Sequence, residues 1–244
     1  MSSYKGPFKT RTQKRMPRFT WKILAALAAN TAILQAQIDP GKPLPEKPDA
    51  HGWFKVFDGK TLSGWTAPTP GKWEVKDGVV VGQGPMSHLF SPNEYTNLEF
   101  KAEVKLNHSG NSGMYFRAAL GAGWPKGYEA QVENTSPDPQ RTGSLYNLHK
   151  IGDQLVADDT WWTQQILAIG NHIIIKVNDK VTTDYIDKNN TYQSGHLAFQ
   201  QHNDGSVVEY RNVMVKRLPN DETAAWAEAK KDLPEISAGP KKND

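Results

Sequence analysis

The sequence predicts an all-β protein, an antiparallel sandwich or barrel, and three observations predict it. From Gly52 to Leu218 the apolar segments are short and rich in Val, Ile, Phe, Tyr and Trp, the residues that suit a pleated, half-buried surface. Turn pairs punctuate them at Asp58-Gly59, Asp77-Gly78, Asn178-Asp179 and Asp204-Gly205, each a hairpin-type signal. No segment of helical length in that span carries a 3.6-residue apolar period, so nothing provides crossover helices and sheet must pack on sheet.

The elements follow in order. Lys5, Lys9, Arg11, Lys14, Arg15, Arg18 and Lys22 lead into the apolar run Ile23–Ala29 and a small residue at Ala36. A basic region, a short apolar run and a small-residue end are the pattern of a secretory signal peptide. Met16 is an alternative start. Residues 1–36 are therefore expected to be removed, leaving mature protein from about Gln37 in the periplasm or outside the cell. The apolar run falls short of the ~20 residues of a transmembrane helix, so no stable membrane insertion is expected after cleavage. Residues 37–51, rich in Pro and Lys, read as a linker. The body, 52–218, contains strand patterns at Trp73–Val75, Val79–Val81, Leu98–Val104, Gly113–Arg117, Trp162–Ile169, His172–Val177 and Val207–Val215. In Leu98–Val104 the apolar Leu98, Phe100, Ala102 and Val104 alternate with Glu99, Lys101 and Glu103, which puts one face in the core and the other in water or along a site. Residues 219–244 hold a short helical pattern, Thr223–Lys231, expected to be exposed or loosely docked, before a Pro-, Gly- and Lys-rich end.

Composition narrows the function classes. The chain has 244 residues, 37% hydrophobic, with a net charge of +3, and much of that excess lies in the N-terminal basic residues. No basic patch interleaved with aromatics follows, so nucleic acid is not an expected partner. There are no cysteines, which excludes disulfides and thiolate metal sites. No cofactor motif is present. Asp158-Asp159 suits a solvated loop better than a calcium site, and no metal ligands are assigned.

The most informative stretch is Gly127–Asn134. As a strand it places Glu129, Gln131 and Glu133 on one face and Tyr128, Ala130 and Val132 on the other. Two readings stand: the floor of a polar site on a concave sheet, or a strand face meeting water. Other candidates gather around it. His149 offers a base near a loop mouth, or a surface histidine. Gln200 and His202 share a strand face. Asn111 serves a site or a tight turn between Gly110 and Gly113. Arg117 holds a sugar oxygen or partners Glu129. Trp124, in a Gly-rich loop, is the best candidate to stack on a pyranose ring, with Trp65, Trp161 and Trp162 as further aromatics.

Read in order, segments of the body resemble the family of secreted 3-keto-disaccharide hydrolase domains, whose fold is the concanavalin A-like lectin/glucanase sandwich, a jelly roll. They are Phe54–Trp65, Trp73–Val79, Asn111–Arg117, Gly127–Val132, Thr142–Tyr146, Gly195–His202 and Glu209–Val213. Two positions depart from the family pattern: Glu133 stands where an Asp is usual, and Trp162 follows Trp161 where an asparagine is common. The resemblance implies an exported glycosidase-type hydrolase with a carbohydrate substrate. For such an activity the candidate catalytic groups are Glu129, Glu133 and His149, with Gln131, Arg117, Asn111, Tyr146, Trp124, Gln200 and His202 as candidates on the sugar. The alternative is a non-catalytic carbohydrate-binding module on the same fold. A 3-keto group acidifies the hydrogen on C2, so a base removes it, the leaving group departs by elimination and water adds back. Ordinary hydrolysis instead needs two carboxyls about 5–5.5 Å apart if retaining, or about 6.5–9.5 Å if inverting. Residues four apart on an unbroken strand have Cα atoms roughly 13 Å apart, which mildly disfavours a retaining pair from Glu129 and Glu133.

Overall fold

The structure is a computed structural model that describes residues 47–233. The expectations for the leader, most of the linker and the last residues of the tail lie outside that range. Twelve strands and one helix make up the described chain: β1 (Trp53–Lys55), β2 (Lys72–Lys76), β3 (Val79–Gln83), β4 (Ser87–Tyr95), β5 (Leu98–Leu106), β6 (Asn111–Ala118), β7 (Tyr128–Glu133), β8 (Trp162–Ile169), β9 (His172–Val177), β10 (Lys180–Ile186), β11 (Gly195–Gln201), β12 (Val208–Arg217) and α1 (Glu222–Ala229). They form an antiparallel β-sandwich. One sheet runs β10-β9-β8-β5-β12-β3-β2, with β1 also paired to β12; the other runs β4-β11-β6-β7.

Local chemistry explains the turns. Asp77-Gly78 joins β2 to β3 with φ of 51° and 82°, and Asn178-Asp179 joins β9 to β10 with φ of 47° and 65°. Both central residues of each pair are left-handed, the turn that matches strand twist. The other two turn pairs are not hairpins. Asp58 accepts from Lys60 N and Thr61 N at 2.7 Å each, closing a local loop after β1. Asp204-Gly205 lies between β11 and β12, which belong to different sheets, so it carries the chain across the sandwich.

The core lies between the sheets. Leu98, Phe100, Ala102 and Val104 are at most 1% exposed, as the alternation predicts, and Phe199 of β11 stacks on Tyr210 of β12 with ring centroids 3.9 Å apart. On the opposite face of β5 Lys101 and Glu103 are partly exposed, as expected, and Glu99 departs from the expectation. Glu99 is fully buried, with Gln165 Nε2 donating to it at 3.0 Å; burial first, and then the Asp232 carboxylate, push its carboxyl up to about 7. The cover is the C-terminal segment, which docks firmly. Asp221 caps α1 by accepting from Ala224 N at 2.8 Å. Ala225, Trp226 and Ala229 then pack on Leu167, Ile169, Ile174 and Leu218, and Lys216 Nζ binds Glu228 and Asp232 at 2.9 Å each.

Candidate active site

The second sheet carries the site on its face away from the core. Strand β7 pairs with β6 in a register that sets Glu129 opposite Tyr115, Gln131 opposite Gly113 and Glu133 opposite Asn111. Its other edge is covered by the chain at 142–146: Gln131 N donates to Ser144 O at 3.0 Å and Tyr146 N to Glu129 O at 2.9 Å. This cover removes an open sheet edge and brings Tyr146 beside Glu129. The whole strand is buried, with Glu129 7% exposed, Gln131 1% and Glu133 0%. The water-facing reading of that polar stripe therefore fails.

A pocket of about 530 Å³ opens over this face, within the range of small-molecule sites. Asn111, Tyr115, Glu129, Gln131 and Gln200 form its polar floor; Trp124, Pro125 and His202 line one side, and Tyr146, Asn147, Leu148, Thr191 and Tyr192 line it further. Among the described residues no Lys or Arg lines it. Of the residues expected from the sequence, it gathers Glu129, Gln131, Asn111, Tyr146, Trp124, Gln200 and His202.

Glu129 is the chemical centre of the pocket. Tyr115 Oη donates to its Oε2 at 2.7 Å, and Gln200 Nε2 donates to its Oε1 at 3.1 Å and to Tyr115 Oη at 3.2 Å. Burial pushes the carboxyl up to about 8, with the Asp138 charge adding to it and the two hydrogen bonds opposing. A glycine makes this placement possible: a Cβ on Gly113 would fall 2.0 Å from Glu129 Oε1. Burial and the Glu129 charge raise the Tyr115 hydroxyl, and burial and Asp138 raise that of Tyr146, so both phenols stay neutral.

Three expected residues lie elsewhere. Glu133 points from the same strand face, but its carboxylate is taken by Arg141 Nη1 and the backbone N–H of Ser136. It anchors the loop 134–141. His149 turns toward β10, where its Nδ1 meets Thr183 Oγ1 at 3.1 Å. Arg117 neither partners Glu129 nor faces the pocket. It sits at a bulge with φ of 51°, where strand parity breaks. Its guanidinium donates to the carbonyls of Thr96 (2.8 Å), Gly170 (2.6 Å) and Tyr192 (3.1 Å).

Sequence reasoning also missed residues. Tyr115 shares the parity of Asn111 and Gly113, and that alternation was the available signal. His88 is 1% exposed, paired in register with Gln200; its ring lies 5.3 Å from that of Tyr115 and 5.6 Å from that of Trp124. Burial, and then His202, hold it down to about 4. No local pattern marks it. Among the described residues no group of three or more His, Asp or Glu side chains is placed to hold a metal ion, and no helix is long and apolar enough to cross a membrane.

A β-sandwich with a neutral, aromatic-walled polar pocket on one sheet and a buried acid at its floor has the features of a carbohydrate site. The chain belongs to the 3-keto-alpha-glucoside-1,2-lyase-like domain family, whose signature matches residues 52–216. A 3-keto-disaccharide hydrolase of Bacteroides thetaiotaomicron is 31% identical over 83 residues, an alignment covering 29% of this chain and 29% of that protein. A crystal structure named as a candidate glycosyl hydrolase from Parabacteroides distasonis superposes with a TM-score of 0.62 at 24% identity, over 70% of this chain and 95% of that one. A Bacillus subtilis protein of galectin-like fold superposes at 0.50 with 12% identity, over 63% and 89%. These likenesses show the fold.

Proposed function

We propose that the protein is an exported carbohydrate-active enzyme that cleaves 3-keto-disaccharides or 3-keto-glycosides by elimination and hydration, with Glu129 as its proton-transfer group. One observation carries the reading: among the described residues Glu129 is the single carboxyl lining the pocket. Hydrolysis by two carboxyls needs a second, and Glu133 is committed to Arg141. Elimination beside a ketone needs only one. The Glu129 carboxylate takes the proton from C2, the C2 electrons form the enolate, and the protonated acid returns that proton to the departing O1. A conjugated unsaturated ketone remains, to which water adds. A carboxyl near 8 is a stronger base for a carbon acid than one in the usual range. The amide groups of Gln131 and Asn111 supply neutral donors for the enolate oxygen, and Trp124, 55% exposed, supplies a stacking face. Export rests on the leader-like pattern of residues 1–36.

Product analysis tests the reading. Cleavage of a 3-keto-disaccharide, with the unoxidised sugar left intact, is expected. Binding of either sugar without turnover would leave a carbohydrate-binding module, and cleavage of both alike would contradict the elimination route.

A further inference from the structure

We infer that Asp138, a residue outside the pocket, fixes what the pocket wall recognises: it takes the Tyr146 O–H and leaves the phenol oxygen to face the ligand as an acceptor, selecting a hydroxyl on the bound sugar. The inference rests on the sugar-pocket reading above and adds a positioning residue to it.

The geometry is a built one. Tyr146 Oη donates to Asp138 Oδ2 at 3.2 Å. Asp138 is itself held: its Oδ1 accepts from Gln140 N at 2.8 Å and its carbonyl accepts from Arg141 Nη1 at 2.7 Å. Arg141 is in turn paired with the buried Glu133. Glu133 thus acts on the pocket at one remove, by holding the loop that holds Asp138, which in turn orients Tyr146. A phenol whose one proton is committed presents only lone pairs. Tyr146, half-buried in the free protein, then accepts from a sugar O–H and discriminates against a position lacking one, because a polar group covered by the ligand and left unpaired is costly.

Asp138 has a second effect. Its charge opposes ionisation of Glu129. The other titratable groups around that carboxyl are Tyr115 from β6, Tyr210 from β12, Tyr146 from the covering segment, His202 after β11 and His88 from β4. Tyr115, Tyr210 and Tyr146 are raised and so neutral near pH 7, and His88 is held down and likewise neutral. Among the described residues Asp138 is the acidic group whose charge raises the Glu129 carboxyl.

Three variants separate these effects. Asp138→Asn keeps an acceptor for Tyr146 and removes the charge; Asp138→Ala removes both; Tyr146→Phe removes the phenol oxygen. The midpoint of Glu129 is read by carbon-13 NMR of labelled glutamate in the ligand-free protein, so this arm does not depend on turnover. It is expected to move to lower pH in Asp138→Asn and Asp138→Ala. With a 3-keto-disaccharide, or the unoxidised disaccharide in a binding assay if wild type shows no turnover, Tyr146→Phe is expected to weaken KM or Kd about 2- to 10-fold, the worth of one neutral hydrogen bond. Its kcat should hold; Asp138→Ala, whose phenol is free to turn, should also bind more weakly, and Asp138→Asn should bind as wild type does. Wild-type binding by Tyr146→Phe or by Asp138→Ala would overturn the inference. A merely structural Asp138 would instead lower thermal stability in both Asp138 variants and move neither readout. Absence of turnover in wild type, with binding weakened by Tyr146→Phe and Asp138→Ala but not by Asp138→Asn, would sink the enzymatic reading and leave this one standing.

Discussion

Glu129→Gln should make the protein more stable, and increasingly so as the pH rises from about 5 to about 8. The folded carboxyl lies near 8 against 4.5 in the ordinary range. Between these values the native state keeps a proton that the unfolded chain has released. Unfolding then loses a proton, and stability falls with rising pH by up to about 1.36 kcal/mol per pH unit. Across the whole interval this is on the order of 3–5 kcal/mol. The substituted amide keeps the shape of the protonated acid and cannot ionise, so it avoids that loss. The Tyr115 hydroxyl still has a carbonyl oxygen to donate to. The Gln200 amide must turn, which offers its Oε1, without a hydrogen bond in the wild type, to the new amide N–H. At about 2–4 °C per kcal/mol for a domain of this size, the variant should melt on the order of 10 °C above wild type at pH 8–9 and close to it at pH 5. Other shifted groups such as Glu99 and His88 are common to both proteins and cancel in the difference. Calorimetry of the two proteins at unit steps from pH 5 to 9 measures this. A melting difference that stays flat over that range would refute the claim that Glu129 is held protonated by its surroundings.

Gly113→Ala should displace the Glu129 carboxylate, since the new Cβ falls 2.0 Å from Oε1; the loss of a positioned acid or base costs about 10²–10⁴ in rate, against an overpacking cost of about 1–3 kcal/mol in stability. Glu133→Gln breaks a pair whose carboxylate is fully buried and should lower stability by about 3–5 kcal/mol, read by thermal unfolding, while kcat of the remaining folded protein falls far less than in Glu129→Gln. Trp124→Ala should raise KM by about 2- to 10-fold with little change in kcat, as expected for the loss of a stacking face worth about 0.5–1.5 kcal/mol.

The parts of this molecule that were legible in sequence are those governed by period and turn chemistry. Leu98–Val104 announces its core face, Asp77-Gly78 and Asn178-Asp179 announce their hairpins, and the stripe Glu129-Gln131-Glu133 announces a polar face beside a buried one. The division of labour within that stripe was not legible. It depends on Arg141, eight positions beyond Glu133 along a loop that folds back onto it. Arg117 misled because side-chain parity holds only along an unbroken strand, and the bulge there turns its guanidinium toward three carbonyls. Glu99 reads as facing water or a site because the C-terminal segment that covers it comes more than a hundred positions later. His88 and Tyr115 meet Gln200 and Glu129 only through strand pairing between β4, β11, β6 and β7, a register that no local window contains.

The central claim is that the Glu129 carboxyl moves the C2 proton of a 3-keto sugar. Cleavage of a 3-keto-disaccharide in D₂O, stopped early and analysed by mass spectrometry and NMR, tests it most directly. Wild-type protein should yield a product carrying deuterium at C2 at a rate that rises with pH toward a plateau above about 8, and Glu129→Gln should yield neither deuterium nor product above the enzyme-free control. Product released with C2 unlabelled, or Glu129→Gln turning over as wild type does, would contradict it.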